Sequence, residues 1–396
     1  MVLNNGQEQA LKIAIKRYKD GEKYTCISGP AGSGKSTLIK FIIAALNLPE
    51  DKVGYATFTG KAAQVLKSKG CKNAITLHKL LYKALPKGDG TYMFVPKDTL
   101  DEDFQLIVID EISMVSITLW NLLLKYGIHV LCLGDEAQLP PIMADEDNHV
   151  LDNPHYHLTE IVRQAKESEI IRLATHIREG NPISTFAASN QQVMIINKAD
   201  LMTGHYLWAD QILCAKNETR NTLNAQMREI LQYPADKPTT NDKVISLRNH
   251  WDYLSMDGNP LTNGCIGTLK QFETKNLWVP YYIHEGPIAT LKATFSTCGD
   301  EDVYRSVSID YKQLITGEKT LTPAQEFNMN RNKKTPNAPF DFAYAYAITV
   351  WKAQGSEFAK VLLFEENFPF DKIERQKYLY TGITRASERV VVVKQQ

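Results

Sequence analysis

GPAGSGKST, residues 29–37, decides how the chain is read. Before it runs KYTCIS (23–28), apolar enough for a buried strand. From Lys35 onward KSTLIKFIIAAL (35–46) reads as a helix. A strand, a glycine-rich turn and a helix opening on Lys-Ser are the complete phosphate-loop pattern, G-x-x-x-x-G-K-[ST]. Gly29, Gly32 and Gly34, with Pro30, Ala31 and Ser33 between them, let backbone N–H groups close around phosphate oxygens. The helix N-terminus adds positive potential. Lys35 is placed to reach the β- and γ-phosphates, and Ser36 to ligate Mg²⁺.

Outward from the loop, strands and helices alternate. Residues 7–19 have helical apolar spacing, and KVGYATF (52–58), FQLIVIDE (104–111) and IHVLCLGD (128–135) read as strands. Strands apolar on both faces, alternating with helices, argue a parallel sheet covered by helices. The pattern breaks at LPKGDGTYMFVPKD (85–98), whose turn residues and alternating aromatics predict a β-hairpin inserted over 85–103. A first α/β core is therefore expected over 1–84 and 104–155. A second is expected over 156–242 and 341–396. Residues 243–340 turn β-rich, with Asn263-Gly264 as one turn signal, and predict a small barrel or sandwich inserted into that second unit.

The bulk composition agrees. A chain of 396 residues is too long for one hydrophobic core. Its 45 basic and 45 acidic residues cancel, so any polyanion-binding surface must be local. Such a surface exists in the sequence: from Gly60 to Gly88 there are seven lysines and no Asp or Glu. Phe58, His78 and Tyr82 lie nearby for base stacking. The six cysteines form no C-x-x-C pair, which argues against zinc and suits a reducing compartment. No stretch has signal-peptide character or membrane-spanning length, so a soluble cytoplasmic protein with no membrane partner is expected.

Three further groups carry chemistry. Asp110-Glu111 ends the buried run FQLIVI, where a carboxylate is costly unless something compensates. A bound Mg²⁺ would, with Asp110 holding the metal through water and Glu111 activating an attacking water. GDEAQLPPI (134–142) ends the next strand of the same sheet, so Gln138 can sit near the γ-phosphate and sense it with an amide that both donates and accepts. Pro140 and Pro141 stiffen the exit. Arg163 in LTEIVRQ and Arg385 in YTGITRA belong to the second unit and can deliver guanidinium groups across a cleft to the γ-phosphate.

Together these motifs resemble superfamily 1 helicases of the Dda/RecD-like branch. The matches run nearly end to end: Gln7, GPAGSGKST, ATFTGKAA (56–63), TLHKLL (76–81), IDEISMV (109–115), LGDEAQLPPI, LTEIVRQ (158–164), AITVWKAQGSEF (347–358) and YTGITRA (380–386). The short hairpin insert and compact β-rich insert look most like those of phage Dda helicase, which would place the chain in host cytoplasm. The resemblance implies an α/β fold with two RecA-like parallel-sheet cores and an SH3-like barrel insert. It implies that Gln7 reads adenine, and that Lys35, Ser36, Thr37, Asp110, Glu111, Gln138, Arg163, Gly355, Glu357 and Arg385 line an ATP site between the cores. DNA contacts would map to Thr59, Lys61, Thr76, His78 and Lys79 in the first core and to Thr349 and Lys352 in the second. The branch implies 5′→3′ translocation on single-stranded DNA and unwinding of forked duplex DNA, in replication, recombination or repair. It implies a monomer, with a single-stranded-DNA-binding protein or replisome component as candidate partner. Trp351 stands where the branch often has His, and either stacks on a base or packs. Phe58 stands where relatives often have Pro. Tyr92, Met93 and Phe94 on the hairpin either form a wedge that splits a duplex or pack it onto its neighbours. An RNA-directed helicase, a kinase using the same loop, and a nucleotide-switched scaffold that does not unwind are the rival readings. The kinase leaves Gln138, Arg163, KAQGSE and TGITRA unexplained.

Overall fold

The computed structural model of the chain describes residues 3–68, 70–86, 92–140, 149–280, 282–297, 302–331, 338–369 and 371–395. Its first core runs α1 (Asn5–Lys19), β1 (Tyr24–Ser28), α2 (Lys35–Leu46), β2 (Val53–Thr57), α3 (Gly60–Ser68), β3 (Ala74–Thr76) and α4 (Leu77–Leu81). The hairpin β4 (Tyr82–Pro86) and β5 (Tyr92–Pro96) follows. Then come β6 (Leu106–Ile109), α5 (Ile117–Leu124), β7 (His129–Gly134) and β8 (Tyr156–His157). The six main strands pair in the order β3-β2-β6-β7-β1-β8, every neighbouring pair parallel. The continuous apolar runs have a simple cause. Ile107 and Ile109 of β6 pack with Leu77, Leu81 and Trp120 on one face, while Leu106 and Val108 pack with Ala10, Leu38 and Ile42 on the other. Both faces are covered, so no position can be polar. Asn4 and Gln7 cap α1 reciprocally: Asn4 Oδ1 accepts from Gln7 N at 2.8 Å and Gln7 Oε1 accepts from Asn4 N at 3.1 Å.

The second core runs α6 (Arg163–Lys166), α7 (Glu169–Arg178), β9 (Val193–Asn197), α8 (Thr203–Trp208), β10 (Gln211–Cys214) and α9 (Asn217–Ile230). It resumes after the insert. The insert contains β11 (Lys243–Ser246), β12 (His250–Leu254), β13 (Pro260–Leu261), β14 (Ile266–Leu277), β15 (Ile288–Thr297), β16 (Val303–Asp310), α10 (Tyr311–Thr316), α11 (Pro323–Arg331) and β17 (Phe342–Tyr344). Then β18 (Ala347–Thr349), α12 (Val350–Ala353), β19 (Phe358–Phe364), α13 (Lys372–Ile383) and β20 (Ala386–Lys394) complete a parallel sheet in the order β18-β10-β19-β20-β9. The fold is α/β with two parallel-sheet cores. The insert is an antiparallel sheet, β16-β15-β14-β11-β17, with the ribbon β12–β13 beside it.

Two boundaries shift from the sequence reading. β8 was expected to open the second core, yet it pairs with β1 in the first sheet. β17 was expected to belong to the second core, yet it pairs antiparallel with β11 in the insert. Two- and three-residue strands are shorter than any periodicity can resolve, so tertiary pairing alone assigns them. The insert is fixed to the second core by a buried ion pair, Arg228 of α9 with Asp242. The Tyr346 hydroxyl also donates to Asp242, at 2.9 Å. Among the described residues no helix is long and apolar enough to cross a membrane.

Candidate functional site

The phosphate loop joins β1 to α2. Gly34 is the N-cap of α2, with φ +81°, and no side chain caps the helix, so its first amides face outward from the turn. The left-handed φ favours glycine here, and a Cβ would also sit 2.4 Å from Gln7 Nε2, displacing that amide. Gln7 is buried and donates to the Ser33 carbonyl at 3.0 Å, so the base-reading candidate touches the loop directly. Ser33 Oγ braces the turn by donating to Pro30 O at 2.8 Å. Lys35 Nζ folds over the loop and donates to the carbonyls of Gly29 and Pro30. Burial pushes the Lys35 ammonium below its ordinary range, while Asp135, Asp110 and Glu111 pull it back up. Three carboxylates therefore act on this lysine, and the sequence reading had named only two. Ser36 is exposed at the helix start and Thr37 half-buried beside it.

Asp110 follows the last residue of β6. Glu111 adopts φ +63°, ψ +56°, a left-handed conformation rare for a residue with a side chain. Its carboxylate faces the second core, where Arg385 Nη1 approaches Oε1 at 3.4 Å. Arg385 is 7% exposed. Its guanidinium is held by Thr381 O and Thr384 Oγ1, each at 3.2 Å, and by Ser356 O at 3.4 Å. Gly355, at φ +72°, lets the second core close in here. A Cβ would lie 3.1 Å from Ala62 and 3.2 Å from Thr59 Oγ1. Glu357 is exposed two residues on.

The segment after β7 is stitched to the second core by three contacts that the sequence reading missed. The Tyr380 hydroxyl accepts from Ala31 N at 2.8 Å and donates to Asp135 Oδ2. Leu139 N donates to Thr381 Oγ1 at 2.9 Å, and Leu139 O accepts from Gln354 Nε2 at 2.8 Å. Gln138 is buried between these contacts, and its Oε1 has no partner among the described residues. A buried amide oxygen without a donor is costly and suits a site that receives one from a ligand or water. Tyr380, Thr381, Gln354 and Asp135 all lie inside the quoted motifs. The signal was present, but the pairing between motifs was not. Arg163 opens α6, and the preceding residue ties this segment to the loop, with Val162 N donating to Gly32 O at 3.0 Å. The Arg163 side chain lies outside the described residues, as does Pro141.

On the adjoining face, Phe58 meets His78 edge-on with centroids 6.0 Å apart, and His78 stacks on Tyr82 at the same distance. Burial lowers the His78 pKa, so this ring is neutral at ordinary pH. Thr76 caps α4 by accepting from Lys79 N at 3.3 Å, and Lys79 is exposed. Lys61 lies on α3, but its side chain is outside the described set. In the second core Thr349 is buried before α12, and Lys352 Nζ donates to Asn263 Oδ1 of the insert at 2.9 Å. Burial, and then Arg220, lower the Lys352 pKa. Arg220 is thus a further cation near this position that no motif had flagged. Trp351 stacks on Tyr378 with centroids 6.0 Å apart and tilts against Phe368, so its contacts support the packing reading. On the hairpin, Phe94 is 52% and Met93 45% exposed. The Tyr92 side chain lies outside the described set.

Known proteins carry the same features. A family model described as an AAA domain matches residues 2–200, half of the chain, and a UvrD-like helicase C-terminal domain matches 344–393. The chain is 25% identical over 99% of its length, and 99% of the other's, to the ATP-dependent DNA helicase dda of Enterobacteria phage T4. It is 24% identical, over 93% of its own length and 46% of the other's, to the ATP-dependent RecD2 DNA helicase of Deinococcus radiodurans. The fold matches the Pif1 helicase of Bacteroides in complex with ADP-AlF3 and single-stranded DNA, with TM-score 0.54, 18% identity and coverage of 100% and 93%. The Candida albicans Pif1 helicase gives TM-score 0.53 at 18% identity, covering 100% and 95%. The family model over half of the chain, the likeness along 99% of its length to the phage T4 helicase, and the motifs in this order from one end to the other carry the assignment: the chain belongs to the superfamily 1 helicases, in their Dda/RecD-like branch.

Proposed function

We propose that this chain uses ATP hydrolysis to move 5′→3′ along single-stranded DNA and to separate the duplex ahead of it, serving replication, recombination or repair. The observation that carries the reading is the seam itself. One side presents the phosphate loop, Glu111 and Gln138; the other presents Arg385, 3.4 Å from Glu111. A triphosphate seated there touches both cores, so its loss changes how they pack.

In this reading Gln7 holds the adenine and the loop amides take the phosphates. Lys35 exchanges the Gly29 and Pro30 carbonyls for β- and γ-phosphate oxygens. Glu111 orients the attacking water, and the buried Gln138 amide bonds to that water or to the γ-phosphate. Arg385 and Arg163 neutralise charge as the terminal phosphoryl group departs. Ser36 and Asp110 supply hard oxygen donors that suit Mg²⁺, which when bound would neutralise phosphate charge. Phe58, Thr59, Lys61, Thr76, His78, Lys79, Thr349 and Lys352 would line the strand path, and Phe94 on the hairpin would meet the fork. The direction of travel is supported by likeness to the Dda and RecD-type relatives.

The deciding experiment uses matched duplexes with a 5′ or a 3′ single-stranded tail, incubated with ATP and Mg²⁺. Strand release from the 5′-tailed substrate alone is expected. Release from the 3′-tailed substrate alone reverses the polarity, and release from neither leaves a switched binding protein. Comparing DNA and RNA tails of one sequence in the same assay fixes the sugar preference.

A further inference from the structure

Tyr380 belongs to α13 of the second core, yet among the described residues its hydroxyl bonds only to the first. It accepts from the Ala31 N–H of the phosphate loop at 2.8 Å and donates to the Asp135 carboxylate at the end of β7. Tyr380 and Asp135 are each 1% exposed, so water does not compete for either bond. Asp135 Oδ1 also accepts from Ala137 N at 3.1 Å and so sets the turn that carries Gln138. One residue after Tyr380, Thr381 holds Leu139 N, and Gln354 holds Leu139 O. A single face of the second core therefore grips the phosphate loop and the Gln138 turn at once.

We propose that Tyr380 is a positioning residue that couples the two cores: through its hydroxyl, the arrangement of the phosphate loop and of Asp135 is passed to α13, so that γ-phosphate capture and release move the second core. Arg385 stabilises charge at the reacting phosphoryl group, whereas Tyr380 carries position and contacts no substrate atom. The inference rests on the ATP-driven reading above and adds the residue that links hydrolysis to movement.

Tyr380→Phe keeps the buried ring and deletes both bonds. In the full chain, with forked DNA, the readout is base pairs separated per ATP hydrolysed, beside kcat and KM for ATP. Tyr380→Phe should lower the base pairs per ATP about five-fold or more, a larger change than any in KM. Asp135→Asn should do the same. The double variant should lose less than the product of the two single losses, because both remove the Tyr380–Asp135 bond. The double variant also removes the carboxylate left without its donor, so a folding defect confined to Tyr380→Phe, seen in its melting curve, leaves the double variant to give the answer. Unchanged base pairs per ATP in Tyr380→Phe, or in the double variant where the single one is unfolded, overturns the proposal. So does a multiplicative loss in the double variant. An unmutated chain with no DNA-stimulated hydrolysis overturns the motor reading and this inference with it, whereas normal motor behaviour with unchanged coupling in the variants overturns this inference alone.

Discussion

Glu111 holds a backbone conformation that costs roughly 1–3 kcal/mol for a residue with a side chain. The cost is met by the fold around it, since Ile112 and Met114 of the next turn are buried. That strain aims the carboxylate at the seam, where Arg385 waits in a nest of carbonyl and hydroxyl acceptors. In the proposed mechanism that guanidinium stabilises charge that develops mostly in the transition state. Arg385→Ala should therefore lower DNA-stimulated kcat by about a thousand-fold while changing KM for ATP far less, as steady-state kinetics will show. Glu111→Gln should bind ATP and turn over poorly, whereas Lys35→Ala should lose hydrolysis altogether. Normal DNA-stimulated turnover in Lys35→Ala would sink the site assignment. Lys35, Asp110 and Glu111 were legible in sequence because their chemistry is local: a loop pattern, and a carboxylate pair ending a buried run. The bond from Tyr380 to Asp135 spans 245 residues, and no local pattern encodes it.

At the scale of elements, the hairpin β4–β5 is the clearest case of a segment that does not serve the core. Leu85 pairs with Met93 and Ala84 with Phe94, and Leu85, Met93 and Phe94 all stay more than a third exposed. Neighbouring residues on a strand point to opposite faces, so both faces of the ribbon are partly open to solvent at 93 and 94. Truncating an exposed side chain costs little stability, typically within about 0.5 kcal/mol. Phe94→Ala should thus melt like the unmutated chain. It should cut strand separation about five-fold and slow DNA-stimulated hydrolysis much less, because translocation does not require a wedge. Equal losses in both assays would place Phe94 in the strand path instead of at the fork. The hairpin was readable from turn residues flanking alternating apolar ones. β8 and β17 were not, because a two- or three-residue strand takes its partner from the completed sheet.

For the whole molecule, the two-core plan was legible because strands apolar on both faces have one common use, a parallel sheet covered by helices. How the parts move was not. The buried Arg228–Asp242 pair ties α9 to the residue that enters β11, and breaking such a pair costs about 3–5 kcal/mol. The seam between the cores is held by hydrogen bonds around Tyr380, Thr381, Gln354 and Arg385, by the partly exposed Arg178–Glu136 pair, and by Leu139, Ala31 and Ala137 packing against the second core. In the proposed reading, opening occurs at the seam. The protein's charge follows the same division. Net charge is zero, so in the proposed reading the grip on DNA comes from local cations such as the exposed Lys67, Lys72 and Lys79. If about four phosphates are neutralised along the strand path, binding to single-stranded DNA should weaken with salt at a log–log slope of about −3. That slope means a loss of about sixty-fold between 50 and 200 mM salt. Lys79→Ala should reduce the slope by about 0.7 and weaken binding to all sequences alike. Fluorescence-anisotropy titrations of labelled oligonucleotides over that salt range measure both quantities. A slope near zero would mean that the lysine strip does not hold the backbone, and that stacking on rings such as Phe58 and His78 carries the grip instead.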